Sequence, residues 1–220
     1  DSISSFAKGV LEDYKNLDIL INNAGVMMCP YSKTKNGFEI QMGTNHLGPF
    51  ALTGLLMPLL MSTKNARIVS TSSVAHNQGD IDFTDINWEK RKYNTSKAYG
   101  DSKLANLYFS YELNRKIENT ASRTKVITAH PGGTKTDLAR HSGIFSVFMS
   151  LLFLPLEKGV LSTLRAATDV NAKSGDYYGP GGFMQVRGFP ELVQSSKMSH
   201  NLTNAKQLWD LSEKLTGVKY

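Results

Sequence analysis

The sequence predicts an α/β fold built on a mostly parallel sheet, and three observations carry that prediction. Short apolar runs alternate with longer segments of helical periodicity. The runs are Asp18-Ile19-Leu20-Ile21, Arg67-Ile68-Val69 and Lys125-Val126-Ile127. Enough chain separates them for helical crossovers between parallel strands. Each run also ends in a polar or glycine-rich cluster, and open parallel sheets bind ligands at the carboxyl ends of their strands.

In chain order, Ser2 or Ser4 can cap a first helix through Phe6, Val10, Leu11 and Tyr14. Asp18 to Ile21 is a short, continuously apolar strand ending at Asn22-Asn23-Ala24-Gly25. Small residues and a glycine there let a ligand approach the backbone. Residues 26–37 read as loop. A long helix is expected from about Phe38 to Met61, bent by Gly48-Pro49 and Pro58. The second strand, Arg67 to Thr71, runs into Ser72-Ser73, and a polar stretch from His76 to Lys92 follows. The next helix begins near Tyr99 and shows its apolar face at Leu104, Leu107, Tyr108, Tyr111 and Leu113. The third strand, Lys125 to Ala129, ends at His130-Pro131-Gly132-Gly133-Thr134-Lys135-Thr136. An apolar segment, 144–156, precedes a helix from Glu157 to about Val170. Residues 175–182 read as turn, and a last helix is expected from about Ala205 to Leu215.

With 220 residues and ordinary apolar and charged fractions, one domain over residues 1–220 is expected. The single cysteine, Cys29, excludes an internal disulfide and has no Cys or His at metal-ligand spacing, so no metal is expected. The net charge of +6 suits an anionic ligand or is ordinary surface lysine. No nucleic-acid-binding motif is visible. No hydrophobic run is long enough to span a bilayer, and a cytoplasmic location is expected. Segment 144–156 offers either a membrane-surface contact or ordinary core or dimer packing.

The chemistry concentrates on Tyr99 and Lys103. Four residues apart on a helix, they share one face. An ammonium beside a phenol favours phenolate and should lower the tyrosine pKa from roughly 10 toward the working pH. Such a pair can give a proton to a carbonyl oxygen or take one from an alcohol. A second copy, Tyr93-Asn94-Thr95-Ser96-Lys97, shows that the spacing alone is weak evidence. Six residues is roughly 240° of helix, so one helix cannot aim both tyrosines at one pocket. Tyr99 is preferred because an unbroken apolar helix follows it. Tyr93 lies among Lys90, Arg91, Lys92 and Asn94, in the polar approach to that helix.

With these clusters in order, the chain resembles the short-chain dehydrogenase/reductase family over nearly its whole length. The resemblance rests on Ile21-Asn22-Asn23-Ala24-Gly25, Asn45-His46-Leu47-Gly48, Ile68-Val69 through Ser72-Ser73, Tyr99-x-x-Ser102-Lys103 and Pro131-Gly132-x-x-x-Thr136. Ser102-Lys103-Leu104-Ala105-Asn106, His130-Pro131-Gly132 and Leu208-Trp209-Asp210-Leu211-Ser212-Glu213 are most similar to the retinol dehydrogenase-like branch. The resemblance implies a Rossmann-type doubly wound sheet and an NAD(P)-dependent oxidoreductase that interconverts an alcohol and a carbonyl. The expected substrate is small and lipophilic, the cofactor NADP or NAD with NADP slightly favoured, and the assembly a homodimer.

The same resemblance implies a role for each site residue. Tyr99 is the general acid/base, Lys103 lowers its pKa and binds the nicotinamide ribose, and Ser73 hydrogen-bonds the substrate oxygen. Asn45 holds a water in a proton relay. Asn22, Asn23, Ala24, Gly25, Ser72, Pro131, Gly132, Thr134 and Thr136 line the cofactor together with Tyr99 and Lys103. His46, His76 and His130 read as packed residues.

The glycine-rich turn that cradles the cofactor pyrophosphate in this family does not occur in the sequence. The expectation is an amino-terminally incomplete domain, lacking the family's first strands and roughly a third of its length, or a protein without that cradle. Poor dinucleotide affinity and an exposed sheet edge at Asp18 to Ile21 are expected with it. The alternative function is a non-catalytic binding or scaffold protein that keeps the fold.

Overall fold

The computed structural model describes residues 2–133 and 156–220. Its frame is a five-stranded sheet in the order β1-β2-β3-β4-β5. The strands are β1 (Ile19–Asn22), β2 (Arg67–Thr71), β3 (Lys125–Ala129), β4 (Tyr177–Pro180) and β5 (Pro190–Leu192). The first four are parallel, with Leu20 opposite Ile68 and Ile68 opposite Val126. β5 returns antiparallel to β4, with Gly179 opposite Glu191.

The helices are α1 (Ser2–Asp13), α2 (Ile40–Met42), α3 (Gly48–Ser62), α4 (Thr95–Glu118), α5 (Leu156–Gly159), α6 (Leu161–Thr168) and α7 (Leu202–Thr216). They cover both faces of the sheet, because successive strand residues point to opposite sides. Ile68 and Val126 pack on one face with Phe50, Leu56, Leu60, Phe109, Leu113 and Trp209. Val69 and Ile127 pack on the other with Ala166, Ala167 and Tyr178. These aliphatic side chains are fully buried, and each such burial contributes about 1.5–3 kcal/mol. A doubly wound α/β architecture results, as the sequence predicts.

Two readings are corrected. Residues 175–182, expected as turn, contain β4, every residue of which is buried. The flanking Gly175 and Gly181, with Gly179 inside the strand, gave the stretch a turn's composition, whereas the Tyr177 and Tyr178 rings pack into the core. With β5, this makes the sheet mixed at one edge. The long helix from 38 to 61 is interrupted: α2 passes through a π-turn at Gly43–Leu47 before α3 begins. Glu39 caps α2, its carboxylate accepting from Gln41 N and Met42 N at 3.0 and 2.7 Å.

β1 is the opposite edge strand, with Ile19 and Ile21 about two-fifths exposed (41% and 40%), in line with the exposed edge expected there. Among the described residues no helix is long and apolar enough to cross a membrane, and no group of side chains could hold a metal ion. The segment considered for membrane contact, 144–156, lies outside the described residues except for its last position.

Candidate active site

The carboxyl end of β2 sets the centre of the site. The chain leaves β2 through Ser72 and Ser73 and turns at once into a 3-10 helix, Val74–Gln78. Ser73 caps that turn, its Oγ accepting from Ala75 N at 3.2 Å. α4 then crosses the same rim. Its start is fixed by Asn94, whose side chain accepts from Lys97 N at 3.0 Å. Crossing so close requires two glycines. A Cβ on Gly100 would lie 2.9 Å from Ala75 O, and one on Gly79 would lie 2.8 Å from Gly100 O. This backbone contact brings Tyr99 to the Ser73 turn, where the Ser73 side chain is near enough to pull the Tyr99 pKa down against burial.

Both members of the Tyr99/Lys103 pair are buried, at 7% and 5% exposure. Lys103 Nζ lies 5.6 Å from the Tyr99 ring centroid and donates to Thr71 O at 3.2 Å. Burial pulls the Lys103 pKa down to about 8. Burial also pushes Tyr99 up to about 12, with the Ser73 hydrogen bond pulling the other way. The expectation that the ammonium would bring the phenol toward neutrality is therefore corrected. Loss of solvation dominates at both groups, because burial penalises whichever form is charged.

Asn45 sits in the π-turn, and such turns place side chains that a regular helix would not. Its amide makes three hydrogen bonds. Oδ1 accepts from Val26 N at 2.8 Å, and Nδ2 donates to Val26 O and to Ser102 Oγ, both at 2.9 Å. Ser102 in turn donates to Tyr99 O at 2.8 Å. Asn45 thus joins the loop after β1 to the helix that carries Tyr99. Ser102 is a linking residue that sequence reasoning missed as a site residue. A serine between Tyr99 and Lys103 carries no signal of its own until its burial is known. Ser72, one of the expected cofactor residues, is buried, and its Oγ donates to Lys103 O at 2.9 Å.

The remaining site residues lie along the strand ends. Asn22 is buried and donates to Thr53 Oγ1 at 3.0 Å, while Asn23 and Ala24 are exposed. A Cβ on Gly25 would come 3.0 Å from Asn45 Oδ1 and 3.6 Å from Lys103 Nζ. Pro131 and Gly132 follow β3, and Gly132 adopts φ +72°, in the left-handed region. Its N–H donates to His130 Nδ1 at 3.2 Å. Thr134 and Thr136 lie outside the described residues.

His46 and His130 behave as packed residues. Burial holds His46 at a pKa of about 3 and His130 at about 4. Tyr93 also has a packing role. Its hydroxyl donates to Glu39 Oε1 at 2.8 Å and accepts from Gln41 Nε2 at 2.9 Å, and it precedes α4 altogether.

A nicotinamide ribose would fit between Gly25 and Lys103. The missing Cβ of Gly25 leaves room beside Lys103 Nζ. An ammonium has three donors, and among the described residues one hydrogen bond is formed from this one, to Thr71 O. Chemically, the arrangement offers a buried phenol and a half-buried serine hydroxyl beside a lysine that is still largely protonated at neutral pH.

A family model described as short chain dehydrogenase matches residues 1–144. The chain is 41% identical to human retinol dehydrogenase 13, covering 99% of this chain and 66% of that protein. It is 41% identical to human retinol dehydrogenase 12 over 100% of this chain and 67% of that protein. For mouse retinol dehydrogenase 14 the identity is 40%, over 99% and 64%. The chain therefore spans about two thirds of the length of these relatives. A solved structure from Mycobacterium Paratuberculosis superposes with a TM-score of 0.82 at 37% identity, covering 100% of this chain and 72% of that one. The Pseudomonas aeruginosa RhlG/NADP active-site complex shares the fold, with a TM-score of 0.57 at 24% identity, over 80% of this chain and 69% of that one.

Proposed function

We propose, from the premise that the chain belongs to the short-chain dehydrogenase family, that it is an NAD(P)-dependent oxidoreductase interconverting an alcohol and a carbonyl. The observation that carries this reading is the meeting of the Tyr99 phenol with the Ser73 side chain, one helical turn from a buried lysine.

In the reducing direction Tyr99 gives its proton to the carbonyl oxygen as negative charge develops there. Ser73 donates a hydrogen bond to the same oxygen, and two fixed donors in a water-poor site stabilise an oxyanion strongly. Lys103 binds the ribose of the dinucleotide and supplies positive charge beside the phenolate left on Tyr99. When bound, the nicotinamide supplies the redox chemistry. Asn45 stands behind Lys103 in the relay that returns a proton to Tyr99. Asn22, Asn23, Ala24, Gly25, Pro131 and Gly132 border the dinucleotide, Thr134 and Thr136 are assigned to it by the family resemblance alone, and Ser72 hydrogen-bonds the Lys103 carbonyl. NADP is slightly favoured over NAD. A lipophilic substrate, a retinoid-like aldehyde or its alcohol, is the class that the named retinol dehydrogenase relatives support.

The test compares wild type with Tyr99→Phe, in the protein at its natural length, on a panel of lipophilic aldehydes with NADPH. Removing the acid should lower kcat by about 10²–10⁴-fold. Equal rates in the two proteins would discard this reading in favour of a scaffold that keeps the fold without turnover.

A further inference from the structure

His76 lies three residues after Ser73 and is buried, at 1% exposure. Both ring nitrogens are engaged. Nδ1 lies 2.6 Å from Ser73 O, and Nε2 lies 3.0 Å from Ser196 N. A backbone N–H only donates and a carbonyl oxygen only accepts. Nε2 is therefore the acceptor, and Nδ1 carries the hydrogen that it donates to Ser73 O. The tautomer is fixed by its two neighbours.

The other end of this bridge is anchored to the helix that carries Tyr99. Ser196 caps the short 3-10 turn Lys197–His200 through its side chain. Next to it, the Ser195 hydroxyl bonds the hydroxyls of Tyr111 and Ser199 and the ring of His200, at 2.9, 2.7 and 3.0 Å. Tyr111 is on α4, twelve residues beyond Tyr99. The His76 ring also meets Tyr177 of β4 edge-on, with centroids 5.9 Å apart. Ser73 is thus held from two sides: α4 approaches through the Gly79/Gly100 contact, and a strut returns to α4 through the 195–200 segment.

We propose that His76 is a positioning residue for Ser73, holding the backbone carbonyl of that serine through Nδ1–H so that its hydroxyl stays aimed at the Tyr99 phenol. This rests on the reading of Ser73 and Tyr99 as the reacting pair. A histidine that merely filled space would need neither a defined tautomer nor a partner at each nitrogen. His76 touches no reacting atom; its effect passes through the Ser73 turn. Small displacements of a catalytic group are costly, with about 1 Å worth as much as 100-fold in rate.

Two substitutions separate positioning from packing. His76→Asn keeps an N–H donor near the Nδ1 position and loses the acceptor facing Ser196. His76→Gln keeps an acceptor near the Nε2 position and loses the donor facing Ser73. In the protein at its natural length, His76→Gln should lower kcat about 10-fold or more, with KM for the dinucleotide within about twofold of wild type. His76→Asn should recover most of kcat. Equal losses in the two variants that track their melting temperatures, or wild-type kcat in both, would overturn the proposal.

Ser73→Ala and Tyr99→Phe, measured beside them, distinguish the two possible failures. If those two lower turnover and the His76 variants do not, His76 has no positioning role while the proposed chemistry stands. If those two leave turnover unchanged, the chemistry itself fails and the positioning role falls with it. A readout independent of turnover and of variant folding is the ring 15N spectrum of the wild type. His76 should show a protonated Nδ1 and a bare Nε2, and a protonated Nε2 would overturn the proposal.

Discussion

The chain carries the same five-residue spacing twice, and the two copies have opposite fates. Tyr93 and Lys97 straddle the start of α4, whereas Tyr99 and Lys103 lie within it. The Tyr93 hydroxyl is tied to Glu39 and Gln41 and stacks edge-on against Trp88 and Tyr31. Lys97 reaches Asp80 at 3.8 Å across an open surface. Tyr99 instead meets Ser73, and Lys103 is buried beside β2. What separates the pair proposed for catalysis from the structural one is therefore the element opposite it, not the spacing. Facing the first copy is a carboxylate that already caps α2. Facing the second is the end of a central strand, β2, and the Ser73 turn that follows it.

Substitutions can break or sharpen this contrast. The largest effect is expected at the phenols. Tyr99→Phe should cost about 10²–10⁴ in kcat, while Tyr93→Phe should leave kcat near wild type in the same assay.

The lysines come next, read through stability against pH. The folded-state pKa of Lys103, about 8, lies below its ordinary value of 10.5. Between those values the unfolded chain binds more protons than the folded one, so stability rises with pH across the window. Below pH 8 the full penalty of burying the charge is present. Lys103→Met should remove this rise, and the difference between the two unfolding profiles should change by on the order of 3 kcal/mol from pH 8 to 10.5. A profile parallel to wild type would mean that Lys103 is not desolvated. Subtracting the variant isolates Lys103 from the tyrosines, whose burial acts in the opposite sense above pH 10.

A smaller effect belongs to Tyr93 as a structural group. Tyr93→Phe removes one of the three donors to the buried Glu39 carboxylate, leaving Gln41 N and Met42 N, and should cost about 1–3 kcal/mol in urea unfolding. The smallest belongs to Lys97→Ala. Its exposed ion pair with Asp80 should be worth under about 1 kcal/mol; a larger loss would contradict the surface role given to that copy.

Much of this contrast is legible in the residues themselves. The three central strands, the polar clusters at their ends and the choice of Tyr99 over Tyr93 all follow from periodicity and from what flanks each copy. Burial is less accessible. Nothing local to Tyr99 and Lys103 reveals that desolvation would outweigh their mutual charge effect, because that depends on what covers them. β4 was hidden for a related reason: Tyr177-Tyr178-Gly179-Pro180 has the composition of a turn, and only its packing against Leu107 and Tyr111 and against the β3 face makes it a strand. Ser102 and His76 were invisible as linking residues, since their partners, Asn45 and Ser196, are 57 and 120 positions away.

The π-turn at Gly43–Leu47 has a consequence for the whole amino-terminal half of the molecule. It gives one stretch of helix an additional residue, so the segments on either side are out of phase by about 100° relative to a regular spiral. Shortening it by a single residue would restore ideal pitch and ruin the alignment. Either Glu39 and Gln41 would swing off the Tyr93 loop, or Phe50 would swing out of the aromatic core, with Asn45 lost from Val26 in both cases. The irregularity is a gear offset that lets one continuous rod serve two separately indexed faces.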